Sequence, residues 1–373
     1  MLSDKTEQNV TPGTPQPTEN LTGSANSEKC CLHLTPEVTV NIVFFIILAI
    51  TIILANFLVL ASIYTNSRMR CPACYLILSL ALADLMVGLF LLPVRITELL
   101  WYQWAREFMW CKMTLSLNLF SLSASLLNLL AVTADRFLAI SYSLKYRTII
   151  TNNRIYVTIT AVWLTAFVTS FLPLFGVGTK PVEMYSVHYL CRYGDVMEST
   201  YMTLFFALIC AIPTLVITAA YFKMFFLARS QERKIAALKV YDRGSAAASK
   251  RLSFRRESKA AKTTAIVIGL FYFSWSPFFA GILITIFRGE AVSYLFAAIT
   301  SCVVYSNSAI NPLVYGFLNQ EFKNSYKRLI KKLFRSWRRK LLSRSGGRVS
   351  SITMTTKTAE IPTITATTPA AVS

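Results

Sequence analysis

Residues 38–67 read VTVNIVFFIILAITIILANFLVLASIYTNS, and none of these 30 side chains carries a charge. About 20 mostly apolar residues are enough to cross the hydrocarbon core of a bilayer as a helix. Glu37 and Arg68 bound the stretch, so it forms a discrete apolar segment with charged neighbours on both sides. It therefore predicts a transmembrane helix near the start of the chain.

The same pattern recurs along the chain. Further charge-free runs of membrane-spanning length occupy residues 113–134, 155–179, 199–222, 263–287 and 291–320. A seventh candidate, 75–94, is apolar apart from Asp84. We count it as a span because a lone acid inside the membrane normally faces the interior of a bundle and has a function. We therefore predict an all-α membrane protein, a bundle of seven transmembrane helices.

The overall composition excludes several other classes. Of the 373 residues, 54% are hydrophobic and 15% charged, whereas soluble domains are roughly 25% charged. His33 and His188 lie far apart in the sequence, and no common hydrolase or nucleotide-binding motif is present. Cys71-Pro-Ala-Cys74 has redox spacing but lies between basic residues and an apolar run, without the βαβ pattern of a thioredoxin-like site. We do not predict an enzyme.

The distribution of the net charge of +20 predicts the orientation. With the N-terminus outside and seven spans, 30 Lys and Arg residues fall on the inner side and 8 on the outer side, which obeys the positive-inside rule. Asn9 and Asn20 begin glycosylation sequons ahead of the first span, which agrees with an outside N-terminus. The basic charge therefore indicates a cytoplasmic face near anionic lipid, and not nucleic-acid binding.

Four segments follow from these patterns. Residues 1–36 are polar and predicted to form a disordered extracellular N-terminus, and residues 37–318 the seven-helix bundle. Residues 319–336 are predicted to form an amphipathic helix on the inner leaflet, and 337–373 a disordered cytoplasmic tail. The apolar face of the amphipathic helix consists of Phe322, Tyr326, Leu329, Ile330, Leu333 and Phe334.

Each predicted span also carries a short motif. In chain order these are Ala55-Asn56-Phe57-Leu58-Val59, SLALADL at 79–85, Asp135-Arg136-Phe137, Trp163, Pro213 with Tyr221, FYFSWSPFF at 271–279, and Asn311-Pro312-Leu313-Val314-Tyr315. In this order and spacing the chain resembles a rhodopsin-like G-protein-coupled receptor, over roughly residues 38–334. The resemblance implies a plasma-membrane receptor that binds an extracellular small molecule and activates a heterotrimeric G protein, with arrestin, receptor kinases and membrane lipid as further partners.

The resemblance also assigns roles within the bundle. Cys111 and Cys191 are expected to form a disulfide on the oxidising side, whereas Cys30 and Cys31 either pair elsewhere or stay free. A carboxylate at membrane depth must be protonated, paired, hydrated or metal-bound. In similar receptors this acid holds an allosteric sodium ion, and here the ion's ligands would be Asp84, Ser125, Asn307 and Asn311. The alternative is a structural Asp84 that is only hydrogen-bonded. Apart from this ion we expect no cofactor.

Helix movement is expected at the inner end. Pro213, Pro277 and Pro312 each remove a backbone donor and permit a kink. By resemblance, Arg136 pairs with Asp135 and Glu257 in the resting state, and Tyr221 and Tyr315 help to hold it when the G protein binds. A partly hydrated ion pair contributes only about 1 kcal/mol, which suits a latch. Phe137 stands where the family usually has Tyr.

A ligand pocket is expected above Trp275. Its predicted lining consists of Asn118, Leu119, Leu122, Phe205, Phe206, Ile209, Trp275, Phe278, Phe279, Ser301 and Tyr305. The pattern is most similar to biogenic-amine receptors of the histamine type, but those place an Asp at the position of Asn118. An amide cannot neutralise a cation, and losing a charge-assisted bond costs about 1.5–3 kcal/mol. We therefore expect a small apolar or neutral ligand, or an amine held differently, with Glu98 as a replacement counter-ion.

Other classes of membrane protein make different demands on the sequence. A retinal-binding protein needs a Lys in the seventh span, and residues 291–320 contain none. A transporter or channel remains an alternative, although the chain lacks an inverted repeat and paired broken helices. A constitutively active or decoy receptor is a further alternative, since Phe137 departs from the family. Ser253 and Ser258 follow basic residues in the manner of kinase sites.

Overall fold

The computed structural model describes residues 35–101, 108–142, 145–181, 191, 193–238, 263, 265–281, 283–284 and 292–346. Most of the described residues lie in long helices. The helices are α1 (Pro36–Thr65), α2 (Pro72–Leu100), α3 (Phe108–Ser141), α4 (Asn152–Phe171), α5 (Ser199–Phe205 continuing through Ile212–Leu238), α6 (Ala265–Gly281), α7 (Tyr294–Leu318) and α8 (Gln320–Gly346). Short helices also occur at Tyr146–Ile149 and Tyr193–Val196, and Thr179 and Met197 form an isolated antiparallel bridge.

Polar side chains fix the starts of several helices. The Thr35 hydroxyl accepts a hydrogen bond from the Val38 amide at 3.3 Å, and Pro36 occupies the first helical position of α1. Thr151 caps α4 in the same way, and Ser293 caps α7 through the Phe296 amide at 3.3 Å. These oxygens satisfy amides that have no partner within the helix. The helices therefore begin where the polar residue precedes the apolar run.

Helix α3 forms the centre of the bundle and α4 lies at its edge. In the apolar window of α3, 72% of the residues are buried, against 17% for Asn152–Phe175. Helix α3 packs against α2, α4 and α5, while α1 packs against α2 and α7. Gly88 of α2 permits close approach to α1, since a Cβ there would lie 3.0 Å from Ile52 Cγ2. Polar groups on α3 are therefore inside the bundle.

Prolines change the helix geometry at two points. The segments Val87–Leu91 of α2 and Phe206–Ala211 of α5 are π-helical, and each ends two residues before a proline, Pro93 and Pro213 respectively. A proline cannot donate to the carbonyl four residues earlier, and its ring crowds that carbonyl. A widened turn relieves this crowding, so the proline positions explain where the π turns occur.

In α6 and α7, the carbonyl that loses its helical hydrogen bond because of a proline accepts one from a side chain instead. Pro312 leaves the Ser308 carbonyl without its helical partner, and Asn56 Nδ2 of α1 donates to that carbonyl at 3.0 Å. In α6 the Phe273 carbonyl, four residues before Pro277, accepts from Ser276 Oγ at 3.1 Å. Asn56 thus links α1 to the part of α7 in which Pro312 interrupts the helical hydrogen bonding.

Hydrogen bonds between side chains and neighbouring helices hold the rest of the bundle in register. Trp163 Nε1 donates to Ser79 Oγ at 2.9 Å and joins α4 to α2. Tyr272 Oη donates to the Thr214 carbonyl at 3.1 Å and joins α6 to α5. Each bond satisfies a polar group that would otherwise be costly in an apolar interior.

Helix α8 packs against α1 and α7 and is longer than predicted. Phe322 is buried and stacks on Tyr315 with ring centroids 5.7 Å apart, and Tyr326 Oη donates to the Pro312 carbonyl at 3.3 Å. The prediction ended this helix at 336 and made 337–373 a disordered tail, but 337–346 are helical. The reason is that residues 337–345 contain neither Gly nor Pro, so the first helix breaker is Gly346.

Two disulfides occur among the described cysteines. Cys111 is bonded to Cys191 with Sγ atoms 2.04 Å apart, which is the pairing expected from the resemblance. Cys71 is bonded to Cys74 at the start of α2. Several predicted residues lie outside the described part of the chain, namely Asn9, Asn20, Cys30, Cys31, Ser253, Glu257 and Ser258.

The fold class agrees with the prediction. Within the described residues, five helices are long and apolar enough to cross a membrane by length and composition, and α6 and α7 add two further helices to the bundle. Their outward surfaces carry large apolar side chains, for example Leu54, Phe57 and Phe222. An all-α membrane helix bundle is confirmed.

Candidate functional site

The bundle has two ends, which we name by their chemistry. The disulfide end contains Cys111–Cys191 and the start of α3. The arginine end contains Asp135 and Arg136 near the end of α3. Since α3 runs the whole distance between them, these two groups of residues are separated by most of the length of one helix.

A narrow cavity with about 20 Å³ of interior space lies near the disulfide end. Helices α3, α6 and α7 and the segment Tyr193–Val196 supply its walls. The lining residues are Asn118, Leu119, Leu122, Tyr193, Trp275, Phe278, Ser301, Val304 and Tyr305. This combination of aromatic and aliphatic walls with a few polar groups is typical of small-molecule sites.

Asn118 is the central polar residue of this cavity. Its Nδ2 donates to the Thr114 carbonyl at 2.9 Å, and its Oδ1 accepts from Tyr305 Oη at 2.6 Å. The amide therefore links α3 to α7 and carries no charge. A ligand cation entering here would meet an oxygen that already accepts a hydrogen bond.

Aromatic rings form one wall of the cavity. Trp275 contacts Phe271 and Phe278 with ring centroids 5.7 Å apart in each case, and Phe279 at 6.2 Å. Trp275 Nε1 is buried and has no hydrogen-bond partner among the described residues. Such rings provide flat apolar contact area for a ligand.

Four residues predicted for the pocket do not line this cavity. Phe206 and Phe279 pack edge to face at 5.9 Å, and Phe205 and Ile209 are buried in the core beside them. The π turn of α5 begins at Phe206, so a regular helical projection from sequence misplaces Phe206 and Ile209. They support the aromatic wall from behind.

Tyr193 and Val304 line the cavity but were not predicted from the sequence. Tyr193 follows Cys191 closely and packs edge to face on Phe278 at 6.2 Å. Burial raises the pKa of the Tyr193 hydroxyl, so the hydroxyl stays neutral and can donate a hydrogen bond. Its proximity to a disulfide cysteine was the one available signal, because the disulfide fixes this loop over the bundle.

An ion pair on α2 lies outside the set of residues that line the cavity. Arg95 Nη1 donates to Glu98 Oε2, and the two side chains are 28% and 6% exposed. Glu98 Oε1 and Arg95 Nε are buried and have no hydrogen-bond partner in the described part of the chain. Glu98 was considered from sequence, but its pairing with Arg95 was not.

Asp84 lies deeper in the bundle and is fully buried. Asn311 Nδ2 donates to Asp84 Oδ2 at 2.9 Å, and Ser308 is a second interacting side chain that the prediction did not include. Ser125 and Asn307, both predicted, are also buried. Asp84 Oδ1 and Asn307 Oδ1 have no hydrogen-bond partner among the described residues. Oxygens of this kind fit a hard monovalent cation.

At the arginine end, the Asp135 carboxylate uses both oxygens. Arg136 Nε donates to Asp135 Oδ2 at 2.9 Å, and Tyr146 Oη donates to Oδ1 at 2.6 Å. Tyr146 was not predicted, since it lies beyond the end of α3 in a separate short helix. Tyr221 is partly buried on α5 and Tyr315 is buried on α7. The predicted partner Glu257 is outside the described residues.

The fold and the two ends together define a multi-pass membrane receptor with a small-molecule cavity near one end. The model of the 7 transmembrane receptor (rhodopsin family) matches residues 55–315. The chain therefore belongs to the rhodopsin family of receptors, as its motifs predicted.

Individual relatives agree with this assignment. The histamine H2 receptor of Canis lupus familiaris is 29% identical over 81% of this chain and 82% of its own length. The octopamine receptor beta-1R of Drosophila melanogaster is 28% identical over 88% and 68%, respectively. The adenosine receptor A3 of Canis lupus familiaris is 31% identical over 75% and 87%. These relatives are receptors rather than enzymes, and the predicted G-protein-coupled receptor is confirmed; nothing here supports a transporter or channel.

Proposed function

We propose that this receptor lies in the plasma membrane with its N-terminus outside, that a small molecule enters the cavity from the disulfide end, and that a heterotrimeric G protein binds the arginine end. The positive-inside charge distribution supports this orientation.

The ligand is a small molecule without net positive charge, or an amine whose charge is neutralised elsewhere. The observation that carries this proposal is Asn118, whose uncharged side chain is engaged with Thr114 and Tyr305. The named ligands of the relatives are consistent with either form, since adenosine is neutral whereas histamine and octopamine are amines. The aromatic wall around Trp275 accepts both.

The signal is a shift between two packings of the helices. The agonist favours the active packing only by its difference in affinity for the two states. Arg136 is held by Asp135 in the present packing, and its release makes it available to the G protein. Prolines in α5, α6 and α7 weaken the helices locally and allow two arrangements.

Regulation follows from the same frame. A sodium ion bound by Asp84 and Asn307, with Ser125 and Asn311 beside them, stabilises the helix packing that holds the oxygens of these residues close together. Receptor kinases acting on the Ser- and Thr-rich tail, or on Ser253 and Ser258, add negative charge that arrestin recognises.

A panel of monoamines and uncharged metabolites, tested with a G-protein-dissociation sensor, tests the ligand proposal. Asn118→Asp should increase the potency of at least one monoamine by about tenfold or more, because it restores a charge-assisted bond. Asn118→Ala is the control that removes the amide without adding charge. A wild-type response to a monoamine at nanomolar concentration, unchanged in Asn118→Ala, would contradict the proposal.

A further inference from the structure

The Cys71–Cys74 disulfide lies at the arginine end of the bundle, opposite to Cys111–Cys191. Leu76, which follows it closely in α2, is buried in one cluster with Val132 of α3. Val132 in turn lies one helical turn before Asp135. The described residues therefore hold one disulfide near each end of the bundle, and one of the two must face the reducing side of a plasma membrane.

The compartment at the arginine end determines how long the Cys71–Cys74 bond persists. Under the proposed orientation, which the charge distribution supports, this end lies in the cytoplasm. Glutathione keeps most thiols reduced there, and the disulfides that do form are usually transient and are catalytic or redox-sensing. The bond is therefore expected to open and close, unlike a permanent cross-link.

The two cysteines of this pair differ in exposure. Cys74 is buried, at 9% exposure, whereas Cys71 is partly exposed. Cys71 is also the N-cap of α2, ahead of Pro72 at the start of the helix. The partial positive charge at a helix start stabilises a thiolate in that position. Cys71 is therefore the sulfur that an incoming thiolate reaches, and Cys74 is the sulfur that leaves or closes the bond.

The bond fixes a part of α2 that packs against neighbouring helices. Tyr75 packs on Tyr156 of α4 with ring centroids 5.6 Å apart. Leu76 is 1% exposed and packs with Val132 of α3. Opening the disulfide releases the first turn of α2 from its cross-link, so that this turn can shift against α3 beside the Arg136–Asp135 pair.

From these observations we infer that Cys71–Cys74 is a thiol–disulfide exchange site for cytosolic thiols of the glutathione type. We further infer that the redox state of this pair regulates nucleotide exchange on the G protein. The inference rests on the proposed function, both for the side of the membrane and for the G protein.

The exchange balances with glutathione as the only co-reactant. In reduction, a glutathione thiolate attacks Cys71 Sγ, and Cys74 leaves as a thiolate that takes up a proton. A second glutathione thiolate attacks the sulfur of the first, which releases glutathione disulfide and the Cys71 thiol. Oxidation is the reverse: the Cys71 thiolate attacks glutathione disulfide, and Cys74 then displaces glutathione from Cys71.

The test equilibrates purified full-length receptor in lipid nanodiscs, which expose both faces, with buffers of high and low ratios of reduced to oxidised glutathione. Free thiols are then blocked with N-ethylmaleimide, and mass spectrometry of the peptides shows which cysteines were bonded. We expect Cys71 and Cys74 to be alkylated together at cytosolic ratios, while Cys111–Cys191 stays bonded. A Cys71–Cys74 bond that survives the reducing buffer, or a pair that stays reduced in the oxidising buffer, would overturn the inference.

Single variants identify the sulfur that is attacked. In Cys74→Ser the exchange stops after one step, so Cys71 should carry one glutathione in the oxidising buffer. In Cys71→Ser the buried Cys74 should carry none. Cys302→Ser removes a partly exposed cysteine of α7 that has no disulfide, and as the control it should leave the Cys71–Cys74 pattern unchanged. Glutathione on Cys74 and not on Cys71 would contradict the inference.

Regulation is measured after the glutathione has been removed, so that the G protein never meets it. The reduced and oxidised wild-type receptors should differ by about fivefold in nucleotide exchange, the lower end of ordinary allosteric coupling. Cys71→Ser/Cys74→Ser should give one rate after both treatments, which a general effect of glutathione would not. Equal rates for the two wild-type states, in a receptor that does stimulate exchange, would overturn the inference.

The proposed function can fail separately from this site. On intact cells, a maleimide that cannot cross the membrane should label neither Cys71 nor Cys74, and a permeant one should label both once they are reduced. Labelling from outside would contradict the proposed orientation and the cytosolic assignment with it. A receptor that stimulates no nucleotide exchange in either state would contradict the proposed coupling, and glutathione exchange at Cys71 in the same sample would still support the exchange site.

Discussion

Arg95–Glu98 at the disulfide end and Arg136–Asp135 at the arginine end are both arginine–carboxylate pairs between near neighbours in one helix. In each, the carboxylate is more buried than the arginine, at 6% against 28% exposure in the first pair and 2% against 15% in the second. The pairs differ in the second carboxylate oxygen. Tyr146 donates to Asp135 Oδ1, whereas Glu98 Oε1 has no partner among the described residues.

This difference distinguishes a pair whose carboxylate is satisfied within the described residues from a pair whose carboxylate is not. A carboxylate with both oxygens engaged is stable by itself, and changing it requires breaking bonds within the protein. A carboxylate with one buried oxygen open still requires a hydrogen-bond donor. The arginine end is also where the chain keeps the motif of its family, apart from Phe137, and the disulfide end is where Asn118 departs from it. Under the proposed function, the end shared with the family carries the switch and the departing end selects the ligand.

The largest expected effect comes from removing Arg136, the arginine of the pair at the arginine end. Arg136→Ala should lower ligand-stimulated nucleotide exchange on a purified G protein by tenfold or more, because the side chain that the G protein needs is gone. Arg147→Ala, an exposed arginine at the same end, is the matched control. Retention of half or more of the wild-type exchange rate in Arg136→Ala would show that this pair is not the switch.

At the other end, the loop over the cavity depends on its disulfide. Cys111→Ala/Cys191→Ala should lower the thermal unfolding midpoint by about 5 °C or more, since a long closed loop loses several kcal/mol of stabilisation. Cys302→Ala, which removes an unpaired and partly buried cysteine, should have a smaller effect. Equal midpoints for the two variants would mean that the disulfide does not hold the cavity roof.

Asp84 lies between the two ends and tests whether they communicate. If sodium binds there, raising sodium at constant ionic strength should weaken agonist binding several-fold in the wild type, and Asp84→Asn should remove that dependence. Potassium at the same concentrations is the control ion. A sodium effect that persists in Asp84→Asn would place the ion elsewhere.

The smallest expected effect concerns the hydrogen bond from Tyr146 to Asp135. Tyr146→Phe removes one hydrogen bond to a carboxylate, which is equivalent to about 1–2 kcal/mol, and leaves Asp135 Oδ1 open. Basal nucleotide exchange should increase a few-fold because the resting pair is weakened. A decrease in basal exchange, at equal receptor amounts, would show that Tyr146 supports the active packing instead.

Much of this structure is predictable because a bilayer constrains sequence strongly. Charge-free runs locate the helices, and motifs such as Asp135-Arg136-Phe137 locate the switch residues. The positions of the π turns could not be predicted from the prolines alone, since the described residues before Pro277 and Pro312 are α-helical although these prolines lack the same donor as Pro93 and Pro213. What periodicity cannot supply is side-chain direction within such a turn, which is why Phe206 and Ile209 do not line the cavity.

Contacts made by residues outside the long helices also could not be predicted from the sequence. Tyr193 and Tyr146 belong to short segments between spans, whose path is set by the disulfide and by local turns. Arg95 and Glu98 have the three-residue spacing of helical neighbours, so their pairing was readable from the sequence. The burial of the pair could not be predicted from the sequence, because it depends on the packing of α2 against α3 and α7.

The most direct test of the account measures ligand affinity and nucleotide exchange on the same reconstituted receptor, using the compound of highest affinity found above. We predict that Asn118→Ala weakens ligand binding by about tenfold yet still supports exchange at saturating ligand, because Asn118 lies in the cavity and not in the switch. Arg136→Ala should bind the ligand within about threefold of the wild type and fail to stimulate exchange. Loss of ligand binding in Arg136→Ala, or unchanged binding in Asn118→Ala, would contradict the division of the molecule into a ligand end and a signalling end.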